Sequence, residues 1–142
     1  GVIHDDGATA WTTLGTGGTL GAAATSNGKI RALNTDGETV WQSEKIDIGK
    51  VNRISIAVDA IKIGNFGPSD SLSVYYKFGD NGEELIESLS FSSDPQEDFE
   101  TYQVGQDDVD VSGYQQVQVV IRARVAGANK ALYWDRVHVS AP

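Results

Sequence analysis

Ser71-Leu72-Ser73-Val74-Tyr75-Tyr76-Lys77-Phe78-Gly79-Asp80-Asn81-Gly82-Glu83-Glu84-Leu85 is the stretch that decides the fold class. Apolar side chains recur at Leu72, Val74, Tyr76 and Phe78, and successive side chains of an extended strand point to opposite faces of a sheet. The run stops at Asp80-Asn81-Gly82, where Asn and Gly tolerate the positive φ that tight hairpin turns require, and a second strand begins at Glu84. The reading is a β-hairpin with one core face and one solvent face.

Outward from this hairpin, period-two alternation recurs along the chain, and no segment sustains the spacing of three and four that marks an amphipathic helix. Strands are expected over 10–14, 29–34, 40–48, 52–61, 71–78, 84–90, 99–104, 115–125 and 131–140. Turn signals such as Asn27-Gly28, Asp36-Gly37 and Ser112-Gly113 separate them. The Gly-, Ala-, Thr- and Ser-rich stretch 15–28 reads as a loose strand or a loop. Many short strands with closely spaced turns make an all-β, two-sheet antiparallel β-sandwich of the jelly-roll kind, and residues 1–142 form a single domain of it.

Composition narrows the function. A formal net charge of −9 disfavours nucleic acid, whose phosphates call for a basic surface. No apolar run is long enough to span a bilayer, and Gly1 is not followed by a charged-then-apolar leader, so any signal peptide has been removed or lies upstream. The absence of cysteine excludes a disulfide framework and thiolate metal sites, and fits a bacterial extracellular module, secreted or on the cell surface. Between Lys77 and Arg122 there is no Lys or Arg, and the acids crowded there read as solvated loops and strand faces.

Strand parity assigns an inside and an outside. Ile54, Ile56, Val58 and Ala60 form one core row, and Val117, Val119, Ile121, Ala123 and Val125 form another. Over 40–48 the inward Ile46 and Ile48 carry Glu44 with them and leave Trp41, Ser43, Lys45 and Asp47 outside. Over 131–140 the inward Tyr133, Val137 and Val139 carry Asp135 and leave Leu132, Trp134, Arg136 and His138 outside. An ionised carboxylate facing a core needs a partner. Calcium, which collects several oxygen ligands, is one compensation for Glu44 and Asp135; a buried arginine, or a position just past the strand ends in water, is the other.

Chemistry is poorly represented. His4 and His138 are the histidines, and they meet only if the two ends of the chain adjoin; surface positions are the simpler reading. No Gly-x-Ser-x-Gly turn presents a nucleophile, no feature selects a carboxylate pair for glycoside hydrolysis, and Gly15-Thr16-Gly17-Gly18 lacks the Lys-Ser or Lys-Thr of a phosphate loop. The domain is therefore read as not an enzyme. A face that holds sugars needs rings to cover apolar sugar faces and planar polar groups to reach hydroxyls. The outward set, Tyr75, Lys77, Gln116, Gln118, Arg122, Arg124, Trp134, Arg136 and His138 with Trp41 and Arg53, offers that mixture. Of its members, Tyr75, Lys77, Arg122, Arg124, Trp134 and Arg136 are the ligand-binding candidates, and their arginines point to a uronate-containing or sulfated glycan. Loops at the sandwich tip are the competing location.

Three stretches together resemble the calcium-binding jelly-roll carbohydrate-binding modules of bacterial polysaccharide-degrading enzymes. His4-Asp5-Asp6-Gly7 followed by Trp11 looks like the family's opening acidic strand, and Trp41-Gln42-Ser43-Glu44 followed by Ile46 and Ile48 looks like its Trp-x-Ser-Glu strand. Tyr133-Trp134-Asp135-Arg136-Val137 is similar to its closing aromatic-Asp-x-Val strand. The resemblance implies a structural calcium held by Asp5 and Asp135, to which parity adds Glu44; His4 and Asp5 stand where an aromatic and a glutamate are usual, with Asp6 and Asp36 as alternative first ligands. It also implies a non-catalytic module that binds a polysaccharide or oligosaccharide and holds a tethered catalytic domain near it. A structural or adhesive calcium-stabilised domain of a cell-surface protein is the alternative, and exposure of Trp134 and Tyr75 distinguishes the two.

Overall fold

A computed structural model describes residues 2–5, 11–16, 23–26, 29–33, 39–43, 45–91, 99–126 and 130–141, with side chains described at 40–43, 45–91, 101–126, 130–134 and 138–141. The strands are β1 (Val2–Asp5), β2 (Trp11–Thr16), β3 (Ala23–Ser26), β4 (Lys29–Leu33), β5 (Thr39–Ser43), β6 (Ile46–Asp47), β7 (Arg53–Ile63), β8 (Ser71–Phe78), β9 (Glu84–Ser90), β10 (Phe99–Asp110), β11 (Gln116–Arg124) and β12 (Ala131–Ser140). Among the described residues there is no helix, and so none long and apolar enough to cross a membrane.

Two antiparallel sheets face each other. One runs β10-β7-β12-β4-β3, with β1 also pairing β12; the other runs β2-β5-β11-β8-β9, with β6 also pairing β11. They are called below the β7 sheet and the β11 sheet. The expected core rows of β7, β8 and β11 lie between them: Ile54, Val58 and Ala60, Leu72 and Val74, and Val117, Val119, Ile121 and Ala123 are all fully buried. Each large aliphatic chain so buried contributes about 1.5–3 kcal/mol. At one open edge the sheets are tied together, where Gly105 of β10 donates its backbone N–H to Glu87 of β9 at 3.2 Å.

The β8–β9 hairpin stands as expected, but its left-handed residue is Gly79 (φ 54°), not Asn81 or Gly82. The turn is closed by the Asn81 N–H donating to the Phe78 carbonyl at 2.9 Å. β10 runs to Asp110, six residues past the expected end at Val104, because a bulge between Gln106 and Val109, with Asp108 at φ 59°, lets pairing with β7 resume.

Two further bulges correct the assignment of faces. Gln42 pairs with Val120 and Ile46 with Val117, so β5–β6 holds one residue more than β11 across that interval. Ser43 bridges the break: its hydroxyl accepts the Val119 N–H at 3.0 Å and its carbonyl accepts from Gln118 Nε2 at 2.9 Å. The extra residue reverses parity, so Trp41 and Ser43 face inward along with Ile46 and Ile48. In β12, Asp135 pairs with Asp59 and His138 with Ala57, again one residue too many. Leu132 and Trp134 therefore face the core before the bulge and Val139 faces it after. Trp134, expected outside, is fully buried, edge-on to Trp41 at 6.1 Å between ring centroids.

One end of the sandwich is closed by charge. Lys62 continues the inward row of β7, is fully buried, donates to the Gly64 carbonyl at 2.8 Å and lies 5.6 Å from the Phe66 ring centroid. Asp70, also buried, accepts the backbone N–H groups of Gly67 and Ala126, each at 2.8 Å, and pairs with Lys130. Its carboxylate joins the loop after β7 to the loop before β12. The sequence reading ended that core row at Ala60 and singled out neither Lys62 nor Asp70.

Candidate functional site

Directly opposite residues on neighbouring strands share a face, so the pairings lay out the solvent side of the β11 sheet row by row. Gln42, Val120, Tyr75 and Leu85 make one row across β5, β11, β8 and β9. Val40, Arg122, Ser73 and Ser88 make the next, and Gln118 lies beside Lys77 in a third. Arg124 stands opposite Ser71. Four of the six expected binding residues, Tyr75, Lys77, Arg122 and Arg124, are thus on one face. The other two are not: Trp134 is in the core, and Arg136 belongs to β12 in the opposite sheet, its side chain outside the described residues.

The face is open on one side only. Val40, Gln118 and Val120 are buried despite their outward parity, Tyr75, Lys77 and Arg122 are half-buried, and Leu85 and Arg124 are exposed. Gln118 is outward but spent on the Ser43 carbonyl. Gln42 Oε1 is buried and accepts no hydrogen bond among the described residues. The accessible surface is therefore a strip over β8, β9 and the neighbouring side of β11, with Tyr75 at its centre.

Arg122 crosses that strip. Its backbone stands opposite Ser73, yet its guanidinium reaches past Tyr75 to Glu83, the residue before β9, with Nε to Oε2 at 2.8 Å and Nη2 to Oε1 at 2.7 Å. On the way it lies 5.8 Å from the Tyr75 ring centroid, within cation–π range. The Arg122 hydrogen bonds hold the Glu83 carboxyl below its ordinary value of 4.5, with the Arg122 and Lys77 charges adding to the effect against a smaller opposing cost of burial. Glu83 was not singled out from the sequence; its signal was its place at the end of the hairpin loop, on the parity of Leu85 and so on the face of Tyr75.

A second aromatic group lies at the loop end of β8. Tyr114 stacks on Phe78 at 4.0 Å and 13°, and Tyr76 donates its phenol to Glu84 at 2.7 Å. That hydrogen bond, reinforced by burial and by the charges of Glu84 and Tyr114, pushes the Tyr76 hydroxyl up to about 12. A cleft of about 240 Å³ lies elsewhere, lined by Arg53, Ile54, Ser55, Asp107, Asp108, Ser140 and Ala141. It contains no ring, and its Arg53 is bound to the Asp108 carboxylate and carbonyl.

For calcium, Glu44 lies outside the described residues, and so do the side chains of Asp5 and Asp135. The backbone brings their strands together: Asp5 pairs with His138 three residues beyond Asp135, and β1 also packs against β6, which follows Glu44. The strands that carry His4 and His138 thus adjoin, although the His4 side chain lies outside the described residues. Among the described residues no group of three or more His, Asp or Glu side chains is placed to hold a metal.

No protein-family model and no curated protein sequence matches the chain. Solved structures do. The chain is similar to the C-terminal family 22 carbohydrate binding module of Clostridium thermocellum Xyn10B, with 12% identity, TM-score 0.62, and coverage of 99% of this chain and 93% of that one. It is similar to TmCBM61, solved in complex with beta-1,4-galactotriose, at 8% identity and TM-score 0.57, covering 93% of this chain and 88% of that one. The CBM22-1-GH10 modules of Clostridium thermocellum Xyn10B, complexed with xylohexaose, match at 13% identity and TM-score 0.59, covering 100% of this chain and 29% of that one. At such identities the likeness is one of fold, the jelly-roll β-sandwich, in structures that are carbohydrate-binding modules or contain one.

Proposed function

We propose that this domain is a non-catalytic carbohydrate-binding module that lays a glycan chain along the β8–β9 side of the β11 sheet. The observation that carries the reading is Tyr75: a half-buried ring at the centre of the accessible strip, with the paired Arg122 and Glu83 beside it and Leu85 exposed along its edge. An aromatic ring covers the apolar face of a pyranose, while guanidinium, carboxylate and carboxamide groups reach its hydroxyls. Fold likeness to modules solved with beta-1,4-galactotriose and with xylohexaose supports the same reading and makes β-1,4-linked polysaccharides the first ligands to try. The role is to hold an attached enzyme near its polymer outside the cell, raising local concentration without turnover.

A structural calcium at Asp5, Glu44 and Asp135 belongs to the same proposal, supported by the pairing of β1 with β12 and its contact with β6. The test is a glycan array read with calcium and with chelator, repeated with Tyr75→Ala. Binding that disappears with Tyr75→Ala in a folded protein supports the site; an array on which wild type and Tyr75→Ala behave alike overturns it. One observation favours the structural alternative: Trp134, which was to mark an open sugar platform, serves the core instead. If the array stays blank while chelator lowers the melting temperature, the domain is a calcium-stiffened spacer.

A further inference from the structure

Arg122 and Glu83 form a complete bidentate pair on the accessible strip, with side-chain exposures of 29% and 23%. Both guanidinium-to-carboxylate bonds are of charge-assisted length, so the carboxylate of Glu83 occupies the Nε/Nη2 edge of Arg122, one of the bidentate places that a uronate or sulfate group would use. The guanidinium also lies 5.8 Å from the Tyr75 ring centroid, so the positive charge that a ligand at Tyr75 meets is already paired with the Glu83 carboxylate. An anionic ligand would have to displace Glu83 or bind Arg122 beside it, and either way a carboxylate faces its own charge. A hydroxylated, uncharged ligand has nothing to displace, because hydroxyls donate to the carboxylate and accept from guanidinium N–H groups together.

We infer that Glu83 is a specificity-determining residue that reserves Arg122 and makes this face select uncharged glycans over anionic ones. This rests on the reading of the β11 face as the glycan site, and it reverses the expectation, drawn from the arginine content of the strands, that the ligand is a uronate or sulfated polymer. Arg124, exposed and opposite Ser71, and Lys77, beside Gln118, flank the strip, and Lys77 is near enough for its charge to act on Glu83 as well.

The experiment is affinity electrophoresis through gels containing polygalacturonate, dextran sulfate, or an uncharged β-1,4-xylan or galactan. It uses the full chain as wild type, Glu83→Gln, Glu83→Gln with Arg122→Gln, and Tyr75→Ala, each checked for folding by circular dichroism and melting. Wild type is expected to be retained by an uncharged polymer and not by the anionic ones. Glu83→Gln frees one charge-assisted site, so the ratio of anionic to uncharged affinity should rise about tenfold or more, and the added Arg122→Gln should return it. A ratio unmoved by Glu83→Gln, or a wild type that prefers polygalacturonate, overturns the inference while Tyr75-dependent retention leaves the glycan site standing. No retention of wild type in any gel, with Tyr75→Ala identical to it, overturns the site and the inference with it.

Discussion

The Asp70 end of the sandwich and the Glu83 strip are built from the same parts, a carboxylate, a cation and an aromatic ring, in different surroundings. Asp70 is buried, and its oxygens are occupied by two backbone N–H groups as well as Lys130, with Phe66 5.6 Å from the lysine nitrogen. Glu83 has the Arg122 guanidinium as its partner, on a face where Tyr75 and Leu85 meet solvent. The first carboxylate closes two loops and has no capacity left for a ligand. The second is held by side-chain N–H groups alone and is partly exposed. What separates the two carboxylates is how many of each acid's bonds the backbone has already taken.

That contrast is testable from its strongest side downward. Asp70→Ala removes one partner of a buried ion pair and leaves Lys130 and two backbone donors unsatisfied, so it should destabilise by about 3–5 kcal/mol in chemical denaturation. A loss below 1 kcal/mol would make the two ion pairs equivalent and break the comparison. Gly105→Ala comes next: its Cβ would lie within 2.3 Å of the Ile56 carbonyl oxygen, and forcing the strands apart at the Glu87 tie should cost about 1–3 kcal/mol. The melting temperature checks it, and an unchanged value would mean the edge yields freely.

Glu83→Gln should cost only about 0.2–1 kcal/mol at neutral pH, as expected for a partly exposed pair. Because the folded carboxyl titrates below 4.5, its contribution is complete above that pH and is lost as pH falls through the lower folded value. Wild type and Glu83→Gln should therefore converge in stability toward strongly acidic pH, and divergence there would show that Arg122 is not what Glu83 serves. The smallest effect concerns Tyr76, whose ordinary hydroxyl value of 10.0 is raised to about 12 by Glu84. Its stabilisation is full below 10 and disappears as pH rises to about 12, so alkaline titration by ultraviolet difference absorbance should show a late component that Tyr76→Phe abolishes.

Much of the sandwich was legible because unbroken strands write their faces in period two. The boundaries expected at 71–78, 84–90 and 131–140 are those of β8, β9 and β12, and the inward rows of β7, β8 and β11 are where alternation put them. Alternation failed where a strand carried an extra residue. Trp41 and Trp134 were assigned outward because one parity was carried through the Ser43–Ile46 and Asp135–His138 intervals, and both rings are in the core. Of the candidate site, Tyr75, Lys77, Arg122 and Arg124 were legible as one side of two strands; Glu83 was not, since its partner Arg122 lies two strands away across the sheet.

By itself, then, the order of residues determined the all-β class, the hairpin around Gly79–Gly82, the apolar rows of the core and the surplus of acid that disfavours nucleic acid. Those properties are local: they follow from alternation, turn chemistry and charge, and need no knowledge of neighbours. Tertiary structure alone decided that Trp134 meets Trp41 inside, that Asp70 closes one end, and that Arg122 crosses Tyr75 to reach Glu83. Each of these depends on the register between strands distant in sequence, and a bulge of one residue is enough to reverse it.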